Sequence, residues 1–176
     1  MLFLAGLAAC FVVVLYLFFQ RQSDEEVYEK FGVSSKTFKL ISSDLGKRKS
    51  RVFLRRKGVT GVPDAVFEAT RGKELVVGEY KSRTHKGYVR FNELYQVMLY
   101  MGHLQARYPS YTIRGCLAYA DQRVSIAFDP QLYQGLMDVA PEVKKALRKR
   151  TVQDALPLQK RMPVNTMNSD LKLRMY

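Results

Sequence analysis

Residues 61–81 read GVPDAVFEATRGKELVVGEYK, and this stretch decides the fold. Two apolar, β-branched runs flank the polar segment ATRGK, whose composition is typical of a hairpin turn. We therefore predict two paired strands. Because side chains alternate across a strand, Glu79 and Lys81 project from one face of the second strand and Tyr80 from the other. The first run is predicted to lead from residues 51–54 into Asp64, which can lie beside these residues on the neighbouring strand.

Two acids and a lysine on paired strands form a donor set suited to a hard divalent cation. Mg²⁺ prefers carboxylate, carbonyl and water oxygens, and it usually keeps several waters. Asp64 and Glu79 supply the carboxylates. Lys81 shares a face with Glu79 and can position an attacking water, help to deprotonate it, or stabilise developing charge. These residues predict phosphodiester hydrolysis with Mg²⁺ as the cofactor and Mn²⁺ as a substitute.

A helix is predicted after these strands. Residues 90–107 carry a broad apolar stripe at helical spacing, and the stretch ends before Pro109. Gln96 and Tyr100 are four residues apart, so they lie on one face of this helix.

The remaining elements complete an α/β pattern. A helix is predicted over residues 24–31, whereas residues 36–44 are ambiguous, with a short amphipathic helix as one alternative. Strands are predicted at residues 111–120 and 123–128, followed by helical stretches that begin at Pro130 and restart at Pro141. The order helix, strand, strand, helix, strand, strand, helix predicts an α/β core with a mixed sheet.

Three motifs in this order resemble the PD-(D/E)xK nuclease superfamily: Pro63-Asp64, Glu79-Tyr80-Lys81 and the stretch from Gln96 to Tyr100. The Q-x-x-x-Y pattern is that of the RecB-like branch. The resemblance covers residues 51–128. It implies a restriction-endonuclease-like mixed β-sheet core flanked by helices and a nuclease that acts on DNA. It also implies that the backbone carbonyl of Tyr80 is a third metal ligand, and that Gln96 and Tyr100 face the active site and contact DNA phosphate or Lys81.

The sequence departs from the RecB-like pattern at one metal ligand. Many members have an upstream histidine, but no histidine precedes Asp64 here. Other branches use a glutamate from the first helix, which makes Glu29 the candidate. Candidate nucleic-acid contacts are basic residues near the strands, with the guarding of a strand edge as the alternative: Arg55, Arg56, Lys57, His85 and Lys86.

The charge balance favours a polyanionic partner. With 29 Lys and Arg against 16 Asp and Glu, the formal net charge is +13. Such an excess suits nucleic acid or an anionic membrane face. The cysteines are Cys10 and Cys116, and Cys10 lies in an apolar run, so we predict a reducing compartment and exclude a disulfide-stapled secreted fold.

Residues 2–19 form an uninterrupted apolar run without a charge. As a helix this run would span roughly 27 Å, close to the ~30 Å hydrocarbon core of a bilayer. We therefore predict one N-terminal transmembrane helix as an anchor over residues 1–20, a nuclease-like domain over residues 21–150, and a basic, flexible tail over residues 151–176. A signal peptide is disfavoured because the basic n-region and small-residue cleavage site are missing. All basic residues follow the run, which predicts a single-pass protein of the bacterial inner membrane with its C-terminal domain in the cytoplasm.

The leading functional prediction is a membrane-anchored, Mg²⁺-dependent deoxyribonuclease. One alternative is a catalytically inactive nuclease-like module that binds DNA or a partner protein at the membrane. A second is a structure-selective endonuclease such as a junction resolvase. Because no helicase motif is present, any unwinding would come from another chain.

Overall fold

Strands and helices alternate along the part of the chain that the computed structural model describes, residues 24–45, 51–151, 156–162 and 164–175. Residues 24–31 form helix α1. The strands are β1 Phe38–Ser43, β2 Leu54–Arg56, β3 Val59–Gly61, β4 Ala65–Ala69, β5 Glu74–Lys81, β6 Val89–Arg90, β7 Thr112–Tyr119, β8 Arg123–Ala127 and β9 Leu173–Arg174. The other helices are α2 Phe91–Arg107, α3 Pro130–Lys149, α4 Leu158–Arg161 and a 3₁₀ turn at Thr166–Asn168.

The predicted α/β architecture with a mixed sheet is confirmed. Within the described residues, five strands form a sheet in the order β1-β4-β5-β7-β8. Strands β5 and β7 are parallel, and the other neighbours are antiparallel. Parallel neighbours need a crossover, which α2 supplies between β5 and β7. The carboxyl ends of β5 and β7 therefore meet at one edge of the sheet, where Lys81 pairs with Tyr119.

The predicted hairpin is strands β4 and β5, whose antiparallel register pairs Ala65 with Gly78. The run before Asp64 differs from the prediction. Instead of one strand leading into Asp64, β2 and β3 form a separate hairpin. Its turn consists of Lys57 and Gly58, with φ of 46° and 71°. A two-residue turn with positive φ at both positions matches the right-handed twist of the paired strands.

Two segments adopt a structure that local pattern did not determine. The ambiguous segment forms β1, which pairs with β4 along an edge of the sheet. The helix restart predicted at Pro141 is wrong, because α3 runs through it from Pro130 to Lys149. Apolar residues on both sides of the proline, Val139 and Val143, belong to the core cluster of this face. Their packing offsets the backbone hydrogen bond that a proline removes.

The sheet is covered on both faces. Helices α2 and α3 pack on one face, where Leu94, Met98 and Leu117 are buried. Helix α1 packs on the other face, where Phe31 contacts Phe67. Burial on both faces explains the nearly continuous apolar run of β5, a pattern typical of strands next to a parallel partner.

The tail predicted to be flexible packs against the domain in several described places. Met162 is buried, and the Arg161 guanidinium donates two hydrogen bonds to the Glu142 carboxylate, at 2.8 and 2.7 Å. Strand β9 pairs with β6. The Asn168 side chain accepts from the backbone N–H of Ala127 at 3.0 Å and donates to its carbonyl at 2.9 Å. The polar composition of this segment gave no indication of these tertiary contacts.

The predicted single-pass membrane topology requires correction. No helix among the described residues is long and apolar enough to cross a membrane. The two long helices, α2 and α3, each bury one side on the sheet and carry charged residues elsewhere. The apolar run at residues 2–19, on which the anchor was predicted, lies outside the described residues. Within the described residues the fold class is α/β, and the predictions of a transmembrane helix and of inner-membrane localisation are corrected by this finding.

His103 on α2 connects the β2–β3 hairpin to α3. Its Nε2 lies 3.2 Å from the carbonyl oxygen of Val59, and its Nδ1 lies 3.2 Å from the hydroxyl of Tyr133. A carbonyl only accepts, so Nε2 carries the proton and the neutral ring accepts from Tyr133 at Nδ1. Burial lowers the pKa of His103; the carbonyl of Val59 opposes this shift, and the charge of Arg56 adds to it.

We expect His103 to make stability depend on pH. Because its folded pKa is lowered, the unfolded chain binds more protons as the pH falls below about 6.5. Relative to the His103→Gln variant, wild type should lose stability as the pH falls below about 6.5. At higher pH the difference in stability between the two proteins should stay constant. Urea denaturation at pH 5, 6, 7 and 8 measures this difference. Identical pH profiles for wild type and His103→Gln would refute the role.

Candidate functional site

Asp64 lies at the edge of the sheet where β4 begins. The β4–β5 register places it across from Glu79. Its Oδ2 accepts a hydrogen bond of 2.8 Å from the backbone N–H of Tyr80. Its backbone carbonyl accepts one of 2.9 Å from the N–H of Asp44. The side chain is thus held against β5 by backbone contacts from two neighbouring strands.

Glu79 is buried, with 5% of its surface exposed. Its Oε1 accepts from the Lys81 amine at 3.0 Å and from the Gln96 amide at 2.7 Å. Its Oε2 is also buried, yet it has no hydrogen-bond partner in the described part of the chain. A buried polar atom without a partner is costly, so this oxygen marks a position for a cation or a proton.

Gln96 joins the strand to the helix. Its Oε1 accepts from the Lys81 amine at 2.9 Å, and its Nε2 also donates to the Tyr100 hydroxyl at 3.0 Å. The structure thus brings Glu79, Lys81, Gln96 and Tyr100 into one hydrogen-bonded chain. Tyr80 lies on the opposite face of β5, where it packs against the α1 side of the core.

The two carboxylates disfavour each other's charge. Burial raises the pKa of Glu79, and the charge of Asp64 raises it further, against the opposing effect of Lys81. Burial also raises the pKa of Asp64, while the Tyr80 N–H and the Lys81 charge lower it. Two partly desolvated acids this close favour binding a proton or a cation that they share.

The glycine that opens the GVPD motif lets Tyr100 reach the site. A Cβ atom built on Gly61 would lie 2.2 Å from Cε1 of Tyr100. The end of the β2–β3 hairpin therefore rests directly on the tyrosine ring. Burial raises the pKa of the Tyr100 hydroxyl, so at neutral pH it stays protonated and able to donate.

We expect Gly61→Ala to destabilise the protein by about 1–3 kcal/mol, because the added methyl must displace a ring that is itself buried. It should also lower any activity that depends on Tyr100. Chemical denaturation measures the first effect. Gly135→Ala on α3 is the matched control, because its nearest contact is a methionine side chain at 3.4 Å. Equal stability of the two variants would contradict the close packing at Gly61.

Two charged neighbours of Asp64 were missed by sequence reasoning. The amine of Lys30 lies 4.0 Å from the centre of the Tyr80 ring, and its charge lowers the pKa of Asp64. The charge of Asp44 raises that pKa, and the Asp44 carboxylate itself pairs with Arg51. No sequence spacing links these residues to Asp64, because α1 and β1 reach it only through the packing of the sheet.

A buried ionic cluster, also missed, holds the start of α2 near the end of β5. The Arg83 guanidinium binds the Glu93 carboxylate through two hydrogen bonds, at 3.0 and 2.8 Å. The Tyr119 hydroxyl and the Arg90 N–H donate to the same carboxylate at 2.8 and 3.0 Å. Burial alone would raise the pKa of Glu93, but these donors outweigh it and leave the pKa below its usual value. The cluster fixes the helix that carries Gln96.

Glu29, the predicted upstream metal ligand, lies on helix α1. Glu29 is exposed on α1, and its backbone carbonyl accepts a hydrogen bond from Arg123. The predicted contact residue His85 lies in the β5–β6 loop, where its ring packs 4.8 Å from that of Tyr119. Lys86 follows it, exposed and with φ of 55°. The loop leaves β5 at the same edge of the sheet as the acids.

Three predicted contact residues, Arg55, Arg56 and Lys57, lie together at the tip of the β2–β3 hairpin, and all three are exposed. Arg56 donates to the Tyr133 hydroxyl at 3.4 Å. The amine of Lys144 on α3 donates to the carbonyl of Gly58 at 2.7 Å and adds a further basic residue to this tip. The tip of the hairpin is thus a basic part of the protein surface.

The donor set fits Mg²⁺ better than a metal that needs a full protein cage. Among the described residues, no group of three or more His, Cys, Asp and Glu side chains is placed to hold a metal. Mg²⁺ is commonly held by one or two carboxylates and completes its shell with water or substrate phosphate. The half-buried Asp64, the unpartnered Oε2 of Glu79 and their mutual repulsion match that requirement.

Comparison with known proteins gives a likeness in structure but none in sequence. No family model matches the sequence, and no curated protein matches it. The crystal structure of a protein called SSO0001 is similar over 78% of this chain, with a TM-score of 0.40 and 16% sequence identity. The match spans 60% of the length of that protein.

Proposed function

We propose that this chain is a metal-dependent nuclease of the PD-(D/E)xK type that hydrolyses phosphodiester bonds in DNA. One observation carries the proposal. Asp64 and the unpartnered oxygen of Glu79 adjoin at one edge of the sheet, and the Lys81 amine is hydrogen-bonded to Glu79 beside them. In open α/β sheets, ligands bind outside the carboxyl ends of the parallel strands. Glu79 and Lys81 lie at the carboxyl end of β5, and Asp64 precedes the antiparallel strand β4 at the same edge of the sheet.

Each residue has a separate task. Asp64 and Glu79 would hold the cation, together with the carbonyl of Tyr80. When bound there, Mg²⁺ supplies Lewis-acid polarisation of the scissile phosphate and lowers the pKa of a bound water. Lys81 keeps a positive charge beside the acids, where it stabilises charge that develops on the phosphate or orients the water.

Gln96 and Tyr100 keep the lysine in place. Gln96 accepts from the Lys81 amine and donates to Glu79, so it fixes the direction of both side chains. Tyr100 accepts the other amide hydrogen of Gln96 and thereby sets the orientation of that amide. Two hydrogen-bond acceptors restrict the rotation of the Lys81 side chain. Less entropy is then lost when its charge is oriented toward the substrate.

Nucleic acid is the substrate class that the charge distribution favours. Basic residues stand at the tip of the hairpin that precedes Asp64 and in the β5–β6 loop that follows Lys81, and the whole chain carries a net charge of +13. Such an arrangement attracts a polyanion and lets its backbone pass the acids.

The direct test is cleavage by the purified full chain. Linear and circular DNA, single- and double-stranded, is incubated with Mg²⁺, with Mn²⁺ and with EDTA. Titration calorimetry of Mg²⁺ gives a readout that is independent of turnover. We expect metal-dependent cleavage and measurable metal binding. DNA binding that depends on salt but not on divalent metal, without cleavage of any substrate, would instead identify a DNA-tethering module.

The hairpin tip should contribute binding rather than chemistry. For Arg55→Gln combined with Lys57→Gln, we expect KM to rise about tenfold with kcat unchanged. The slope of log affinity against log salt should fall by about 2 for duplex DNA, since two phosphate contacts are lost. Lys36→Gln combined with Lys39→Gln is the matched control, with the same charge change at exposed residues near β1. Equal salt slopes for the two double variants would exclude the tip from the contact surface.

A further inference from the structure

A cavity of about 520 Å³ lies beside Gln96, the residue that donates to the Glu79 carboxylate. It lies between the β2–β3 hairpin, α2 and α3, and Gln96 and Tyr100 form part of its wall. Both residues also belong to the hydrogen-bonded chain that ends at Glu79. A ligand in the cavity would therefore be next to whatever binds at the acids. Its size is within the range of pockets that take small organic ligands, roughly 300–1,000 Å³.

The cavity combines flat apolar walls with a small polar edge. Its walls include the ring of Tyr95 and the side chains of Leu99 and Val139. Its edge includes Asn92, which is exposed and whose side-chain amide makes no hydrogen bond within the described residues. Asn92 is one helical turn before Gln96, so the two amides lie side by side. Apolar walls with an adjoining amide suit an aromatic ring that carries donors and acceptors at its rim.

We propose that this cavity receives one unstacked nucleobase of the substrate strand, adjacent to the phosphate held at Asp64 and Glu79. The proposal rests on the nuclease function proposed above. A strand whose phosphate lies at the acids has its neighbouring base within reach of Gln96 and Tyr100. Proteins that bind single strands stack bases on aromatic and apolar side chains and contact the base edge with polar groups. Lys144 at the cavity wall adds positive charge where the next phosphate would pass.

A nucleobase is favoured over an apolar peptide or a lipid chain for two reasons. Gln96 in the cavity wall donates to the Glu79 carboxylate, so we expect the occupant of the cavity and a phosphate at the acids to belong to one molecule. The amide of Asn92 would also lose its water against an apolar occupant without gaining a partner, which costs free energy.

The experiment is an abasic scan with the full chain. A set of single-stranded oligonucleotides with one defined cleavage site carries a single abasic residue, moved one position at a time. We expect kcat/KM to fall about tenfold at one position, or two adjacent positions, beside the cleaved bond, where a stacking contact is lost. Abasic residues elsewhere should leave the rate unchanged.

A cavity-filling variant connects that loss to the cavity. Val143 lines it from α3, so Val143→Trp should occupy the space that the base would take. Leu147→Trp is the control, because Leu147 lies one turn further along α3 and is 74% exposed. For each variant, kcat/KM of the intact oligonucleotide is divided by kcat/KM of the oligonucleotide that is abasic at the sensitive position. This ratio should approach one in Val143→Trp and stay near ten in Leu147→Trp. Because the ratio is internal to each variant, a general loss of stability does not produce this result.

The outcomes separate the two proposals. Cleavage with no sensitive position overturns the base-binding cavity and leaves the nuclease standing. A sensitive position that persists unchanged in Val143→Trp also overturns it, because the base then binds elsewhere. If none of the oligonucleotides or DNA substrates is cleaved, the nuclease proposal fails and the base-binding proposal fails with it.

Discussion

Asp64→Asn and Glu79→Gln are each expected to abolish DNA cleavage, with a loss on the order of 10³-fold or more in kcat, while the fold is retained. The loss follows because either change removes one of two carboxylates that hold the cation, and with it the charge stabilisation at the phosphate. Calorimetry should show that both variants lose Mg²⁺ binding. An amide is nearly isosteric with a carboxylic acid, so the surrounding packing has no reason to change.

The same variants should be slightly more stable than wild type at neutral pH without metal. Burial and mutual repulsion raise the pKa of both acids, so in the folded state their charged forms are disfavoured. A raised carboxyl pKa means that folding is weakened as the pH rises from the unfolded pKa through the folded one. The difference in stability between each variant and wild type should therefore shrink as the pH falls to where the acids are protonated. Thermal denaturation from pH 4 to pH 8 measures this difference.

Glu68→Gln is the matched control for both variants. Glu68 is an acid on the same strand as the site, but its carboxylate accepts from the Tyr111 hydroxyl at 2.8 Å. Its replacement changes the charge equally and should leave cleavage and Mg²⁺ binding intact. If Asp64→Asn and Glu68→Gln cleave DNA at the same rate, the acidic pair is not the active site.

Lys81→Met is expected to lower kcat by about 10²- to 10⁴-fold, the usual range for removing a group that assists proton transfer or charge stabilisation. It also removes a hydrogen-bond donor from a buried carboxylate. Glu79 would keep the Gln96 amide but lose its opposite charge, so its pKa should rise further. We expect a destabilisation of about 1–3 kcal/mol at pH 8, and a smaller one at pH 5, where Glu79 is more easily protonated.

Lys73→Met provides the control for this prediction, because Lys73 is exposed in the turn between β4 and β5. It removes the same charge from the same hairpin without touching the site. Lys81→Arg keeps the charge but replaces a compact amine with a planar fork, so it should restore stability more fully than activity. Full activity in Lys81→Met would remove the lysine from the mechanism while leaving the metal site intact.

Periodic patterns predicted the parts of the site that lie within one element. The alternation on β5 placed Glu79 and Lys81 on one face, and their side chains meet at 3.0 Å. Helical spacing placed Gln96 beside Tyr100, and they are joined by a hydrogen bond. The β4–β5 hairpin was also predictable, because the turn composition and both apolar runs agree.

Elsewhere tertiary packing outweighed the local sequence signals. Residues 36–44 show no decisive period, and they form β1 because β4 offers a free edge to pair with. Pro141 ends a helix by local rules, yet α3 continues through it. Polar composition predicted a flexible C-terminal tail, although Met162 and Asn168 are buried in the domain.

The sequence by itself determined which side chains share a face of β5 and of α2, because both follow from the geometry of a single element. The tertiary structure alone decided that Lys30 and Asp44 act on the charge of Asp64, and that an open cavity adjoins Gln96. These relations join elements far apart in the chain. They depend on sheet order and on the close approach of the β2–β3 hairpin to Tyr100, which no local pattern of residues encodes.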